Sequence, residues 1–263
     1  MFKVFAAEWR KLRRPVLILG SLASSLFFTV LVTVFMFKNI DSPDGNADRG
    51  ATIGRPILES AQGSITAVSQ VGLFLGITAL CIFAAQSAQE YTYGTLRNLL
   101  VRQPKRLKLL AGKFAAMKSF AALIAFVNIS VSIAIGYLLS SGANVSTDLW
   151  FTADGWGAIG RSTLNIFISI MYFGVFGITL GLIFRSPISS ISIGVIWSLI
   201  LEGLLYFVNS NIPEWTPVTQ FNVIAAGGSE DVSYTHALTL GSGYVLLGTL
   251  ISAFLFTRRD VAN

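Results

Sequence analysis

Three observations predict an all-α integral membrane fold with six transmembrane helices. Six apolar stretches of about 20 residues recur along the chain, and at ~1.5 Å per residue each is long enough to cross a hydrocarbon core of about 30 Å. Only 12% of the 263 residues are charged and 53% are hydrophobic, with a mean hydropathy of +0.67, too apolar for a soluble domain of this length. The basic residues are also unevenly shared. Of 19 Lys and Arg, 14 fall in the termini and alternate loops that one membrane face would receive, with Lys118 beside them, while Lys38, Arg49, Arg55 and Arg161 fall on the other. Lys and Arg are retained on the cytoplasmic side, so both termini are expected there.

At the N-terminus, Phe2, Phe5, Trp9 and Leu12 recur at spacings of three and four, opposite Lys3, Arg10, Lys11 and Arg14. That pattern predicts an interfacial helix over residues 1–14, with the four apolar residues as membrane anchors. Pro15 separates it from the first span, residues 16–37. No small-residue cleavage site follows at Lys38-Asn39-Ile40-Asp41, so the segment reads as a retained helix rather than a signal peptide. Residues 39–64, rich in Asp, Gly, Pro, Ser and Asn, read as an external loop with one short helix. The remaining spans are expected at residues 65–85, 120–139, 164–184, 188–208 and 237–256. Between the third and fourth, Trp150, Phe151 and Trp156 are the aromatics expected at an interface. Arg185-Ser186-Pro187 is a short cytoplasmic turn. Residues 209–236 are too long for a turn and too broken for a span. No linker divides the chain, which predicts one six-helix transmembrane domain over residues 1–263.

The cytoplasmic stretch 86–113, QSAQEYTYGTLRNLLVRQPKRLKLLAGK, carries six basic residues against Glu90. At 100° per residue, Tyr93, Leu96, Leu99, Leu100 and Val101 form one arc, and Gly94, Thr95, Asn98 and Arg102 the other, ending at Pro104. Such a helix serves either as a handle for a soluble partner or as a lipid-surface anchor.

Glu90, Gly94-Thr95-Leu96, Leu99-Leu100, Pro104 and Gly112-Lys113 resemble the loop after the second membrane helix of type-2 ATP-binding-cassette exporter permeases. The whole layout is similar too. The resemblance implies a coupling helix between helices 2 and 3 that docks on a separate ATPase, with Glu90, Gly94, Thr95 and Arg97 as the contact residues. It further implies a second permease subunit as a homo- or heterodimer partner, short helices within residues 209–236, a bacterial or archaeal plasma membrane, and ATP and Mg bound by the ATPase rather than by this chain.

No Gly-rich phosphate loop with its lysine is present, and no nucleophile–base or carboxylate pair suited to hydrolysis, so the chain is not expected to be an enzyme. Cys81 is the only cysteine and His236 the only histidine, which excludes a disulfide framework and a Cys/His metal centre. The net charge of +6 does not point to nucleic acid, because the basic residues follow topology. Glu202 is the one acid inside a span and reads either as part of a translocation path or as a residue near enough to the outer end to meet water. Gln70, Asn128 and Asn165 stand between the same path and interhelical hydrogen bonding. An ion- or proton-coupled transporter using Glu202, and a non-transporting assembly or immunity factor, are the alternatives to an exporter subunit moving a lipid, peptide, antibiotic or similar substrate.

Overall fold

The computed structural model describes residues 2–40, 54–102, 105–209 and 211–258, and among these every regular element is helical. A short helix α1 (Phe2–Leu12) precedes α2 (Pro15–Lys38), which Pro15 starts at a position where its missing N–H costs nothing. The short helices α3 (Arg55–Glu59) and α4 (Gly63–Gln70) lead to α5 (Gly72–Thr92). Next come α6 (Thr95–Arg102), α7 (Arg106–Ser140) and α8 (Ala153–Phe184). The fifth long segment is α9 (Pro187–Ile196), a π turn (Trp197–Leu201) and α10 (Glu202–Val208). A 3-10 turn (Pro213–Trp215), α11 (Pro217–Ala226) and α12 (Tyr234–Arg258) follow. Six segments, α2, α5, α7, α8, α9–α10 and α12, are long and apolar enough to cross a membrane, which makes this a multi-pass membrane protein.

Side-chain placement in α2 is the reverse of a soluble helix. Its buried face is Ser21, Ser25, Thr29 and Thr33 at four-residue spacing, followed by Phe37, while Val16, Leu19, Phe27, Leu31 and Phe35 point outward. Lipid tails are as apolar as leucine, so apolar residues gain nothing by turning inward, and small hydroxyls that pack closely and hydrogen-bond across helices take the interface. Asn128 of α7 meets this stripe: its Nδ2 donates to Ser25 Oγ at 3.1 Å and its Oδ1 accepts from Thr29 Oγ1 at 2.8 Å. Thr33 and Ser132 hydroxyls lie 3.3 Å apart one turn further.

The centre of the bundle is the close packing of α5 on α8. A methyl group added at Gly177 would lie 2.4 Å from the carbonyl oxygen of Leu80, and one at Gly181 would lie 2.6 Å from that of Ala84, so both glycines are there to let the backbones touch. Around this seam sit Leu75, Ala79, Phe83, Met117, Phe120, Ile170 and Ile178, all buried.

Helix limits differ from the apolar stretches in three places. The stretch 65–85 is broken at Val71 into α4 and α5, and α5 runs on to Thr92. The third long helix starts at Arg106, because Leu109, Leu110, Gly112 and Lys113 are buried against the bundle despite their charged surroundings. The fourth starts at Ala153, where Thr152 Oγ1 accepts the N–H of Gly155 at 3.3 Å as an N-cap, so half of the expected loop is helical. Trp150 is buried rather than interfacial, donating its indole N–H to the carbonyl of Leu58 at 2.7 Å. Phe151 and Trp156 are exposed and lie side by side.

Candidate functional site

One end of the bundle gathers α1, the end of α5, α6, the start of α7, the α8–α9 turn and the last turn of α12; we call it the basic end. Four charges form a closed ring there. Lys11 Nζ lies 2.8 Å from Glu8 Oε1 and 2.7 Å from Glu90 Oε1, and Lys113 Nζ lies 3.3 Å from Glu8 Oε2 and 2.5 Å from Glu90 Oε1. Each lysine bridges both acids and each acid both lysines. Glu8, Glu90 and Lys113 are buried and Lys11 partly so. A single charge left unpaired in such surroundings is strongly destabilising, so the ring ties α1, α5 and α7 together as a unit.

Glu90, expected to face a partner, is therefore turned inward. Its place in α5 sets the exit into α6: after Thr92 the chain turns through Tyr93 and Gly94, whose φ of +63° is a left-handed conformation that favours glycine. Gly94 is thus required by the turn itself. Helix α6 then rests on the bundle through Leu96, with Leu99 and Leu100 half-buried, and leaves Thr95 and Asn98 exposed. The expected apolar arc is narrower than its periodicity suggested. Tyr93 is 71% and Val101 79% exposed, because the helix begins only at Thr95 and Val101 lies past the buried edge. Arg97 and Phe2 are described as backbone positions of α6 and α1, their side chains lying outside the described residues, as do Gln103 and Pro104.

An open cleft of about 370 Å³ runs between α1, α5 and α6, with Lys11, Arg14, Gln89, Glu90, Thr95 and Asn98 on its walls. Phe5, Trp9 and Leu12 do not all face outward: Leu12 is buried, Phe5 stacks on Trp9, and Trp9 meets Phe120 of α7 edge-on. Neighbouring elements clamp the same end. The Arg106 guanidinium donates to the carbonyls of Phe256 and Thr257, satisfying the C-terminal carbonyls of α12, both at 3.2 Å. Thr92 Oγ1 donates to the carbonyl of Arg185 at 3.1 Å, and the Arg185 guanidinium lies over the Tyr91 ring.

Glu202 sits at the opposite end and is buried. Its carboxylate accepts five hydrogen bonds: from Trp197 Nε1 (2.7 Å), Thr216 Oγ1 (2.7 Å), Thr219 Oγ1 (3.0 Å) and the backbone N–H groups of Val218 (3.0 Å) and Thr219 (2.8 Å). The last two are first-turn donors of α11, so Glu202 caps that helix from another element, an arrangement its positive end favours. The π turn makes this possible, since it brings Trp197 and Glu202 into one hydrogen-bonded step, Glu202 N–H to Trp197 C=O. Gln70 is exposed beside the break at Val71, and Asn165 accepts from the Tyr234 hydroxyl at 2.8 Å. The four expected path residues, Gln70, Asn128, Asn165 and Glu202, are not gathered in one site.

Reading the sequence missed Glu8, Lys11 and Lys113 as partners of Glu90; the i, i+3 spacing of Glu8 and Lys11 on α1 was the only available sign. Thr216 and Thr219 were missed for want of any sign that residues 209–236 fold back on Glu202.

No curated protein sequence matches the chain. A family model does, over residues 26–262, and its description is "Protein of unknown function (DUF2705)". The match takes in every long helix from the second half of α2 to the end of α12, and by it the chain belongs to the DUF2705 family.

Proposed function

We propose that the chain is the membrane-spanning permease subunit of an ATP-driven exporter, with α6 as the element on which a separately encoded ATPase acts and the basic end facing the cytoplasm. The observation that carries this reading is the mounting of α6. An amphipathic helix with an exposed polar face sits on the joint between two membrane helices, beside a cleft, and the ion ring ties the ends of α5 and α7 that flank it to α1. A push on α6 is thereby passed to α5 and α7 together. A helix that merely anchored to lipid would need no such joint. The functional reading also draws on the likeness of residues 90–113 to the exporter loop. The ion-coupled alternative rested on Glu202, whose carboxylate is already committed to five donors.

The test uses the exposed face of α6. Thr95→Arg and Asn98→Trp each preserve or add basic charge and apolar area, so a lipid anchor tolerates them, whereas a packed contact does not. Tagged chain purified from its native membrane should bring an ATPase with it. Both variants should insert normally yet lose most of that ATPase. Undiminished recovery with both, or no ATPase with the unaltered chain, would overturn the proposal.

A further inference from the structure

At the end opposite the ion ring, a cavity of about 410 Å³ opens between α4, α8, α11 and α12, within the range of small-molecule sites. Among the described residues its wall holds one cation, Arg161, and no acidic residue. The guanidinium lies back over Gly157 and makes no ion pair or hydrogen bond to any described residue. Two amides join it. Among the described residues Gln62 has no side-chain partner, and Asn165, whose oxygen is taken by Tyr234, has no acceptor for its Nδ2 donors beside Gly227. Unengaged donors and one positive charge, with no carboxylate among the described wall residues, make a receptor for an anion with several acceptor oxygens.

Depth and access identify the source of that anion. Arg161 stands 23 residues before Phe184 on α8, about 35 Å at ~1.5 Å per residue, roughly one hydrocarbon thickness. With Arg185 at one membrane surface, Arg161 is at headgroup level on the other. Leu164, one turn deeper, also lines the cavity and is 56% exposed, so the wall at that depth is open and apolar, as a route for acyl chains requires. Trp156 and Phe151, exposed just beyond Arg161, are the aromatic pair expected at such a boundary.

We infer that this cavity binds the phosphate of an anionic phospholipid entering sideways from the bilayer, with Arg161 as the charge partner and Gln62 and Asn165 as supporting donors. The site is independent of the exporter reading and would stand if no ATPase were found.

Native mass spectrometry of the detergent-purified full chain, titrated with phosphatidylglycerol, tests it. One tightly retained lipid per chain is expected. Arg161→Gln should weaken its retention about tenfold, the worth of one charge-assisted hydrogen bond. Gln62→Leu, which removes an exposed amide with no internal partner, should weaken it less. Lys38→Gln, an equal loss of charge at the same end but away from the cavity, should leave it unchanged. Equal retention by Arg161→Gln and the unaltered chain, or an equal loss in Lys38→Gln, would overturn the assignment. Diacylglycerol binding as tightly as phosphatidylglycerol would remove the phosphate from it. Displacement of the lipid by glycerophosphate at equal concentration would make the ligand a free phosphate ester and refute the sideways route.

Discussion

Four side chains carry the basic end, and they act as a unit rather than as two pairs. Lys113→Met leaves Glu8 and Glu90 sharing Lys11 alone, and breaking a buried ion pair in this way costs about 3 to 5 kcal/mol. Adding Glu90→Gln to Lys113→Met should recover part of that loss, because the second change removes the charge the first one stranded. Thermal unfolding in detergent of the two single variants and the double will show it. Losses that simply add would mean the ring is not coupled. Glu202 makes a different demand. In Glu202→Gln one carboxylate oxygen becomes an amide nitrogen facing donors, and hydrogen bonds to a charged group are worth about 1.5 to 3 kcal/mol. Amides of residues 217–226 should then exchange hydrogen faster while those of α5 and α8 keep their rates; unchanged exchange in α11 would remove the capping role. Both acids stood out in the sequence, Glu202 as the one acid inside a span and Glu90 as the one acid of a basic cytoplasmic stretch. Their partners were not, because spacing along a chain does not reveal which distant segment folds back onto a carboxylate.

At the scale of elements, composition was a good guide and periodicity a poor one. All six membrane-crossing segments are legible as apolar stretches, since lipid requires apolar residues on the outer face of every helix. The inward faces escape the same scan. In α2 the stripe of Ser21, Ser25, Thr29 and Thr33 is hidden by the leucines and phenylalanines around it, and the start of α7 is hidden by its lysines. Gly177 and Gly181 of α8 stand four residues apart, a spacing that favours close helix packing, and the partner is α5 of the same chain. Gly177→Ala pushes a methyl group onto the Leu80 carbonyl, which a rigid backbone cannot yield without separating the helices. A loss of about 1 to 3 kcal/mol is expected, the usual cost of overpacking. Gly243→Ala, where a methyl group meets nothing within 4 Å, is the control. Equal unfolding temperatures for the two would show that the seam is looser than described.

For the whole molecule, the uneven spread of Lys and Arg predicts an orientation that is open to direct test. In a Cys81→Ala background, Ser229→Cys should react with an impermeant thiol reagent on intact cells, and Lys105→Cys only after the membrane is opened; both positions are exposed. Labelling of position 105 from outside would invert or break the proposed topology. The ion ring has a further consequence at this scale. It holds two positive and two negative charges, so a tilt that carries α1, α5 and α7 together moves no net charge from the ring through the membrane's electric field. One uncompensated charge crossing that field would be worth about 2.3 kcal/mol per 100 mV. On the exporter proposal, a rocking of this joint would therefore take no bias from the membrane voltage through the ring, and the choice of position would fall to whatever bears on α6.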